Sequence, residues 1–166
     1  MRSITEQFTL EKGGYGMCYI RLTDAHFKVL SQGGNKRITI KVGPSDKVHL
    51  AMRPKTNLGH LLTVGTRSCK KLGIAVGDTF QATVAIDTSE YQFEFPEVFG
   101  EVLRTDLLAN KAFENLTKGM QRSLLSYILA VTSEQKQIER SLKIADLLSQ
   151  GITKRSEIQE YLKNKA

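Results

Sequence analysis

The sequence has few of the residues that mark several common protein classes. Its 166 residues include no tryptophan, three prolines, three histidines and two cysteines. The cysteines, Cys18 and Cys69, are too few for a disulfide framework, and neither belongs to a CxxC pair that would indicate zinc or redox chemistry. We therefore expect both thiols to be reduced and structural.

Long apolar runs are also missing. No stretch approaches the roughly 20 apolar residues that are needed to cross a bilayer, and no N-terminal segment joins a basic start to an apolar run. The content of 40% hydrophobic and 25% charged residues is typical of a globular chain. We expect a cytoplasmic protein that does not insert into a membrane.

Motifs of enzymes are equally scarce. His26, His49 and His60 lack the short spacing of a metal site that can be read from sequence. Ser68 and Ser123 lack the G-x-S-x-G context of a nucleophile elbow, and the glycine pairs lack the Lys-Ser/Thr of a phosphate-binding loop. The sequence therefore predicts no catalytic residue, no metal ligand and no cofactor.

The net charge of +7 is distributed unevenly. Through residue 80 there are thirteen Lys and Arg against five Asp and Glu, a balance of +8, whereas the remainder has eleven against twelve, or −1. Between these parts, residues 87–101 contain five acidic side chains, no basic one and Pro96. We place a domain boundary there, between a domain of residues 1–90 and a helical region of residues 91–166.

The basic part resembles itself after a shift of 42 residues. CYIRLTDAHFKVL (18–30) then aligns with HLLTVGTRSCKKL (60–72), and NKRITIKV (35–42) aligns with GDTFQATV (77–84). The apolar alternation is maintained without a gap, which favours two units of about 1–44 and 45–86. Each unit is predicted to form strand, strand, short helix and strand, with Asp24 as N-cap of the first helix. The alternative is that two β-rich stretches align only loosely.

Strands of period two have one apolar face to bury, and two such units related by a pseudo-twofold axis can close a small barrel. The segment around Leu72-Gly73-Ile74 and Gly77-Asp78 resembles the swapped-hairpin unit of AbrB and MazE-like transcription factors, which are DNA-binding dimers. Val64-Gly65 stands where that family usually has Ile-Pro. The predicted fold class is α+β, a double-split barrel of two 42-residue repeats followed by helices. Since one chain supplies both halves, a monomer can close this barrel.

The same shift bears on the reactivity of Cys69. Its neighbours Lys70 and Lys71 could lower the pKa of the thiol and activate it. However, Cys69 aligns with Phe27 under the shift. We therefore expect Cys69 to lie on an apolar helix face and to serve packing.

Beyond Pro96 the apolar period changes to about 3.6, which predicts helices. Thr117 and Ser133 are expected to cap two of them, and Gly151 to end the second. The side chains predicted to face the helical core include Leu107, Leu108, Leu124, Leu125, Ile128, Ile138, Leu142, Ala145 and Leu148.

The order of these parts resembles the YdeI/OmpD-associated bacterial family. The residues that carry the resemblance are Lys12-Gly13-Gly14, Met52-Arg53-Pro54, Gly59-His60, Gly77-Asp78, Pro96-Glu97, Ala112-Phe113, Leu116-Thr117, Arg122 and Tyr127-Ile128. Where the family commonly has a Glu-Thr-Arg run, this chain has Gln135-Lys136-Gln137 and keeps only Arg140. The resemblance implies a barrel of unknown function and a helical part labelled as bacteriocin-protecting, without catalytic residues.

Binding is therefore the predicted type of function, with an unknown anionic ligand or a protein as partner and DNA as the alternative. With Ile38 and Ile40 inward, Arg37 and Lys41 must share the outer face of their strand. Such a basic face would attract phosphate, although lysines on a barrel can also serve solubility alone. The predicted anion or nucleic-acid surface is Lys36, Arg37, Lys41, Arg53, Lys55, Arg67, Lys70 and Lys71.

A second hypothesis places an anionic small molecule or peptide in a cleft between barrel and helices. Its candidate lining is Arg53, His60 and Arg122. The overall prediction is a non-enzymatic protein of the YdeI/OmpD-associated type, acting in stress or bacteriocin protection through ligand or partner binding.

Overall fold

The computed structural model describes residues 3–14 and 17–164, without the side chains of residues 54–56 and 163–164. Its internal contacts divide the chain into two compact units, Met1–Gln92 and Phe93–Ala166. Each unit has its own secondary structure and its own buried residues.

The first unit is a closed antiparallel β-barrel with two short helices. Within the described residues its strands and α-helices are β1 (Ser3–Lys12), β2 (Cys18–Leu22), α1 (Asp24–Leu30), β3 (Arg37–Val42), β4 (Val48–Thr56), β5 (Gly59–Val64), α2 (Thr66–Leu72) and β6 (Thr79–Ile86). The strand order around the barrel is β1-β2-β5-β4-β3-β6, and α1 and α2 follow β2 and β5.

The barrel closes because its strands alternate apolar and polar side chains. On β3, Ile38 and Ile40 are fully buried, whereas Thr39 is half-buried and Lys41 is exposed. An alternating strand has a single apolar face, and closing the sheet buries that face without leaving an edge. The expectation of an α+β chain with a small barrel and a helical C-terminal region is confirmed.

Strand registers in the two halves of the barrel correspond. Leu10 lies opposite Ile20, and Met52 lies opposite Leu62. Phe8 lies opposite Phe80, and Leu50 lies opposite Ile38. Adding 42 to the positions of Leu10 and Ile20 gives Met52 and Leu62. Adding 42 to the position of Phe8 gives Leu50, and subtracting 42 from that of Phe80 gives Ile38.

The ends of the barrel helices depend on local hydrogen bonds. Thr23, not the predicted Asp24, is the N-cap of α1, since its Oγ1 accepts a bond from the His26 N–H at 3.1 Å. The His26 ring in turn accepts from the Thr23 N–H, forming a capping box. At α2, Gly73 has the left-handed conformation with φ 66°, which glycine adopts without a steric cost.

The second unit is helical. Its described helices are α3 (Glu97–Thr105), α4 (Leu107–Glu114), α5 (Lys118–Leu129), α6 (Glu134–Ser149) and α7 (Arg155–Asn164). They surround a core of fully buried side chains, namely Phe99, Phe113, Leu125, Ile128 and Ile144. Thr117 and Ser133 cap α5 and α6 as predicted.

Three apolar side chains predicted to be buried are exposed instead. Leu142 is 54% exposed, because α6 buries the face that contains Ser141, Ile144 and Ala145. Leu107 and Leu108 are 76% and 68% exposed. They belong to the first turn of α4, which turns Ala109 and Phe113 inward and leaves the adjacent positions in solvent.

Candidate functional site

A cavity of about 450 Å³ lies on the outer face of strands β3, β4 and β6. Because alternate residues of a strand face opposite sides, the residues that do not fill the barrel core border this cavity. Its lining is predominantly hydroxyl-bearing or charged and consists of Ser3, Thr39, Lys41, Lys47, His49, Thr83, Ala85, Ile86, Asp87, Thr88 and Ser89.

A His–Asp pair forms the most ordered part of the lining. His49 Nδ1 lies 2.7 Å from Asp87 Oδ2, with side-chain exposures of 20% and 1%. The other Asp87 oxygen, Oδ1, accepts bonds from the Ser89 N–H at 3.0 Å and the Ser89 hydroxyl at 2.6 Å. Asp87 directly follows β6, so the end of this strand supplies the carboxylate and β4 supplies the imidazole.

The hydrogen bonds determine the charge of Asp87. Burial by itself would raise the pKa of this carboxyl, but the bonds from Ser89 and His49 outweigh burial and hold the pKa below its ordinary value. Asp87 is therefore ionised at neutral pH. Since a carboxylate accepts and does not donate, the His49 Nδ1 must carry a proton and donate it to Asp87.

Two lysines complete the lining. Lys41 is on β3 opposite Thr83 of β6, and Lys47 immediately precedes β4. Both side chains are exposed. Ammonium groups beside hydroxyl groups form an arrangement suited to binding an anion.

Arg37, predicted to lie on the basic surface, is half-buried and anchors the segment after β6. Its Nε and Nη2 donate to the Gln92 carbonyl at 3.2 and 2.9 Å. Gln92 Nε2 donates to the Asp87 carbonyl at 3.0 Å. Arg37 therefore contributes to the position of the segment that carries Asp87 and Ser89.

The remaining residues of the predicted basic surface lie on different elements. Lys36 is exposed in the segment before β3, and Arg67, Lys70 and Lys71 are exposed on α2. Lys55 is on β4, and its side chain lies outside the described residues. Among the members of the predicted surface whose side chains the structure describes, only Lys41 borders the cavity around His49.

The three candidate cleft residues lie on different elements, Arg53 and His60 in the first unit and Arg122 in the second. Arg53 borders another barrel cavity, of about 620 Å³, together with Lys12, Tyr19 and Leu58. His60 is nearly buried, its ring stacks on Phe27 at 3.7 Å between centroids, and its Nε2 lies 3.4 Å from Asp24 Oδ1. Arg122 is half-buried on α5 of the second unit.

Cys69 does not have the surroundings of an activated thiol. Burial raises the pKa of Cys69, and the neighbouring Cys18 raises it further. Both cysteines pack against the barrel core. This is the packing position that the alignment of Cys69 with Phe27 predicted.

No sequence pattern pointed to His49, Asp87 and Lys47 as residues of a binding site. His49 and Asp87 are 38 residues apart, so no short motif connects them. The available signal was alternation, which places His49 on the outer face of β4 opposite Thr39. The barrel closure that brings β6 beside β3 cannot be read from either strand alone.

In the part of the chain that the structure describes, no group of three or more His, Cys, Asp or Glu side chains is arranged to hold a metal ion. Among the same residues, no helix combines the length and the apolar character that crossing a membrane requires.

Comparison with known proteins gives one match. The model of the family described as Bacteriocin-protection, YdeI or OmpD-Associated matches residues 92–151, a segment that includes helices α3 to α6. No curated protein and no solved structure matches the chain. The resemblance to the YdeI/OmpD-associated, bacteriocin-protection family is therefore confirmed for residues 92–151.

Proposed function

We propose that the barrel binds a small anionic ligand, without catalysis, in the cavity bordered by Lys41, Lys47 and His49. The observation that supports the proposal is that Lys41 and Lys47 border one concave surface together with the hydroxyl-bearing residues Thr39 and Thr83. Binding sites of small molecules are typically concave and contain a few well-placed polar groups.

The charge of the lining favours an anion. Lys41 and Lys47 are cationic, and the only carboxylate among the described lining residues is Asp87. That carboxylate is almost completely buried, and its oxygens accept bonds from His49 and Ser89. It therefore presents little negative charge to a ligand, and the two lysines determine the sign of the local potential.

Calorimetric titration of the full chain with inorganic phosphate tests the proposal. Wild type should bind, and the double variant Lys41→Gln, Lys47→Gln should bind at least about tenfold more weakly, since it loses two charge-assisted hydrogen bonds. The matched control Lys136→Gln removes an exposed charge on α6 and should bind as wild type does. Equal affinity of wild type and double variant would refute the proposal.

We further propose that the barrel is an AbrB-like double-split fold of two 42-residue repeats. The corresponding registers support this, as does one more pair of bonds: Leu10 N–H donates to the Asp78 carbonyl, and Met52 N–H donates to the Lys36 carbonyl. Since both halves come from one chain, the barrel requires no second copy. Sedimentation should therefore show a folded monomer at low concentration.

DNA binding is the alternative function. It is supported by Arg67, Lys70 and Lys71, which are exposed on α2 within a segment of net charge +8 through residue 80. Anisotropy titration with random duplex at about 50 mM salt, where basic proteins bind most readily, tests it. Binding that is steeply weakened by salt and abolished by Lys70→Glu with Lys71→Glu would favour DNA. Absence of binding at low salt would remove this alternative.

We propose a cellular role in bacteriocin protection, exerted by a cytoplasmic protein through its bound ligand. The family match at residues 92–151 supports the protective role. Cells producing the Lys41→Gln, Lys47→Gln variant should then be as sensitive to bacteriocin as cells without the protein. Cells producing Lys136→Gln should resemble wild type. Protection that is unaffected by the double variant would show that the cavity is not needed for bacteriocin protection.

A further inference from the structure

We propose that the ligand of this cavity carries a hydroxyl group beside its anionic group, as a sugar phosphate or another phosphorylated polyol does. The inference rests on the proposed anion binding and specifies the class of ligand. It follows from the direction of the hydrogen bonds that His49, the lysines and the threonines can make.

The first step concerns the tautomer of His49. The Nδ1–H donates to Asp87, whose two carboxylate oxygens accept bonds from His49 and Ser89. In a neutral imidazole with a protonated Nδ1, the other nitrogen, Nε2, is an acceptor. The carboxylate thus orients the ring and selects which of its nitrogens accepts, as in other His–Asp pairs.

The second step concerns the surroundings of Nε2. His49 borders the cavity and is 20% exposed. Among the residues that the structure describes, His49 makes its hydrogen bond through Nδ1, and its Nε2 is not among the enclosed polar atoms that lack a partner. The acceptor therefore faces solvent in or beside the cavity, where a ligand can reach it.

The third step matches the cavity with its ligand. Lys41 and Lys47 can only donate, so they suit the oxygens of a phosphate. The dianionic phosphate group of a monoester also has only acceptors and cannot satisfy His49 Nε2. A ligand hydroxyl can donate to Nε2 and accept from the hydroxyl of Thr39, which borders the same cavity. Phosphate plus hydroxyl therefore uses more of the lining than phosphate alone.

The size of the cavity agrees with this ligand class. Its volume of about 450 Å³ lies within the range typical of small-molecule sites and exceeds what a bare phosphate ion would fill. A hexose monophosphate would leave room for bridging waters. The hydroxyl groups of the threonine and serine side chains can form hydrogen bonds with such a ligand.

Calorimetric titration of the wild-type full chain with three probes tests the inference: inorganic phosphate, glucose 6-phosphate and cyclohexyl phosphate. The last two have six-membered rings, but cyclohexyl phosphate has no hydroxyls on its ring. Glucose 6-phosphate should bind about five- to tenfold more tightly than cyclohexyl phosphate, the gain expected from one or two neutral hydrogen bonds. Because this comparison uses only wild type, it does not depend on the folding of a variant.

The variant His49→Asn locates the source of any preference. The asparagine amide can still donate to Asp87, but the variant lacks Nε2. It should lose the preference for glucose 6-phosphate over cyclohexyl phosphate. The control Gln7→Ala, on the exposed outer face of β1 and outside the cavity lining, should keep that preference.

The outcomes separate this inference from the proposed function. If none of the three probes binds, the proposed function fails and the inference fails with it. If phosphate binds and the two ring phosphates bind equally, anion binding stands and the inference is wrong. An unchanged preference in His49→Asn, with thermal melting showing a folded variant, would also overturn the assignment to Nε2.

Discussion

The carboxylate of Asp87, at the end of strand β6, accepts three hydrogen bonds, one from His49 and two from Ser89. Alanine at this position would leave the imidazole and the Ser89 groups without their acceptor. We expect Asp87→Ala to lower the free energy of unfolding by about 1–3 kcal/mol at neutral pH. Urea denaturation monitored by circular dichroism measures the loss, and a loss below a few tenths of a kcal/mol would contradict it.

The same carboxylate predicts a pH dependence with a defined sign. Because its pKa is lower in the folded chain than in the unfolded one, its stabilisation is complete above the unfolded pKa. The contribution is lost as the pH falls through the folded value. The stability difference between wild type and Asp87→Asn should therefore be largest near neutral pH and shrink toward about pH 2. A difference that grows on acidification would have the wrong sign.

Cys69 provides a kinetic prediction at the same scale. Burial and the neighbouring Cys18 raise the pKa of its thiol, so little thiolate is present at neutral pH. The Cys18→Ser variant leaves a single thiol and keeps the burial of Cys69, so this thiol should react with iodoacetamide more slowly in the folded chain than in denaturant. Mass spectrometry over time measures both rates. Faster alkylation in the folded chain would indicate that Lys70 and Lys71 activate Cys69 after all.

At the scale of elements, the two barrel helices offer a matched pair of substitutions. Thr23 caps α1 with a side-chain bond, whereas the N-cap of α2 is Gly65 and makes no such bond. Thr23→Ala should therefore cost about 1 kcal/mol. Thr66→Ala, at the exposed first residue of α2, should cost at most a few tenths. Urea denaturation compares the two, and equal costs would contradict the role of the capping box.

Element existence could be predicted where the periodicity was strong and the caps were local. Thr117 and Ser133 cap their helices as expected, because capping depends only on residues within one turn. The buried face of α6 was predicted less well. Ile144 and Leu142 are both apolar, and only the position of the neighbouring helices decides which of them is buried.

The site was less predictable than the elements. Alternation places Lys41 and His49 on the outer face, but it does not say that β3 and β4 lie beside the end of β6. Arg37 was expected on a basic surface, and the bonds that its guanidinium donates to the Gln92 carbonyl were not foreseen. Long-range pairing decides both outcomes, and a single sequence contains little information on such pairing.

At the scale of the whole molecule, the division into two units predicts where the chain can be cut. The unit Met1–Gln92 contains the closed barrel, the cavity lining and the Arg37–Gln92 bonds. A fragment of residues 1–92 should fold and bind phosphate with the affinity of the full chain. A fragment of residues 1–86 lacks Asp87, Ser89 and Gln92, and it should melt at a lower temperature and bind more weakly. Equal behaviour of the two fragments would contradict the role of residues 87–92.

The most direct test of the central claim is a phosphate titration of the isotope-labelled full chain, followed by two-dimensional amide NMR. We predict saturable shifts that concentrate at Lys41, Lys47, His49 and Ser89, and their loss in Lys41→Gln, Lys47→Gln. Amides of the second barrel cavity, such as Tyr19 and Leu58, and of α2 should remain unperturbed. Shifts concentrated at α2 or around Arg53, with the surroundings of His49 unchanged, would contradict the account.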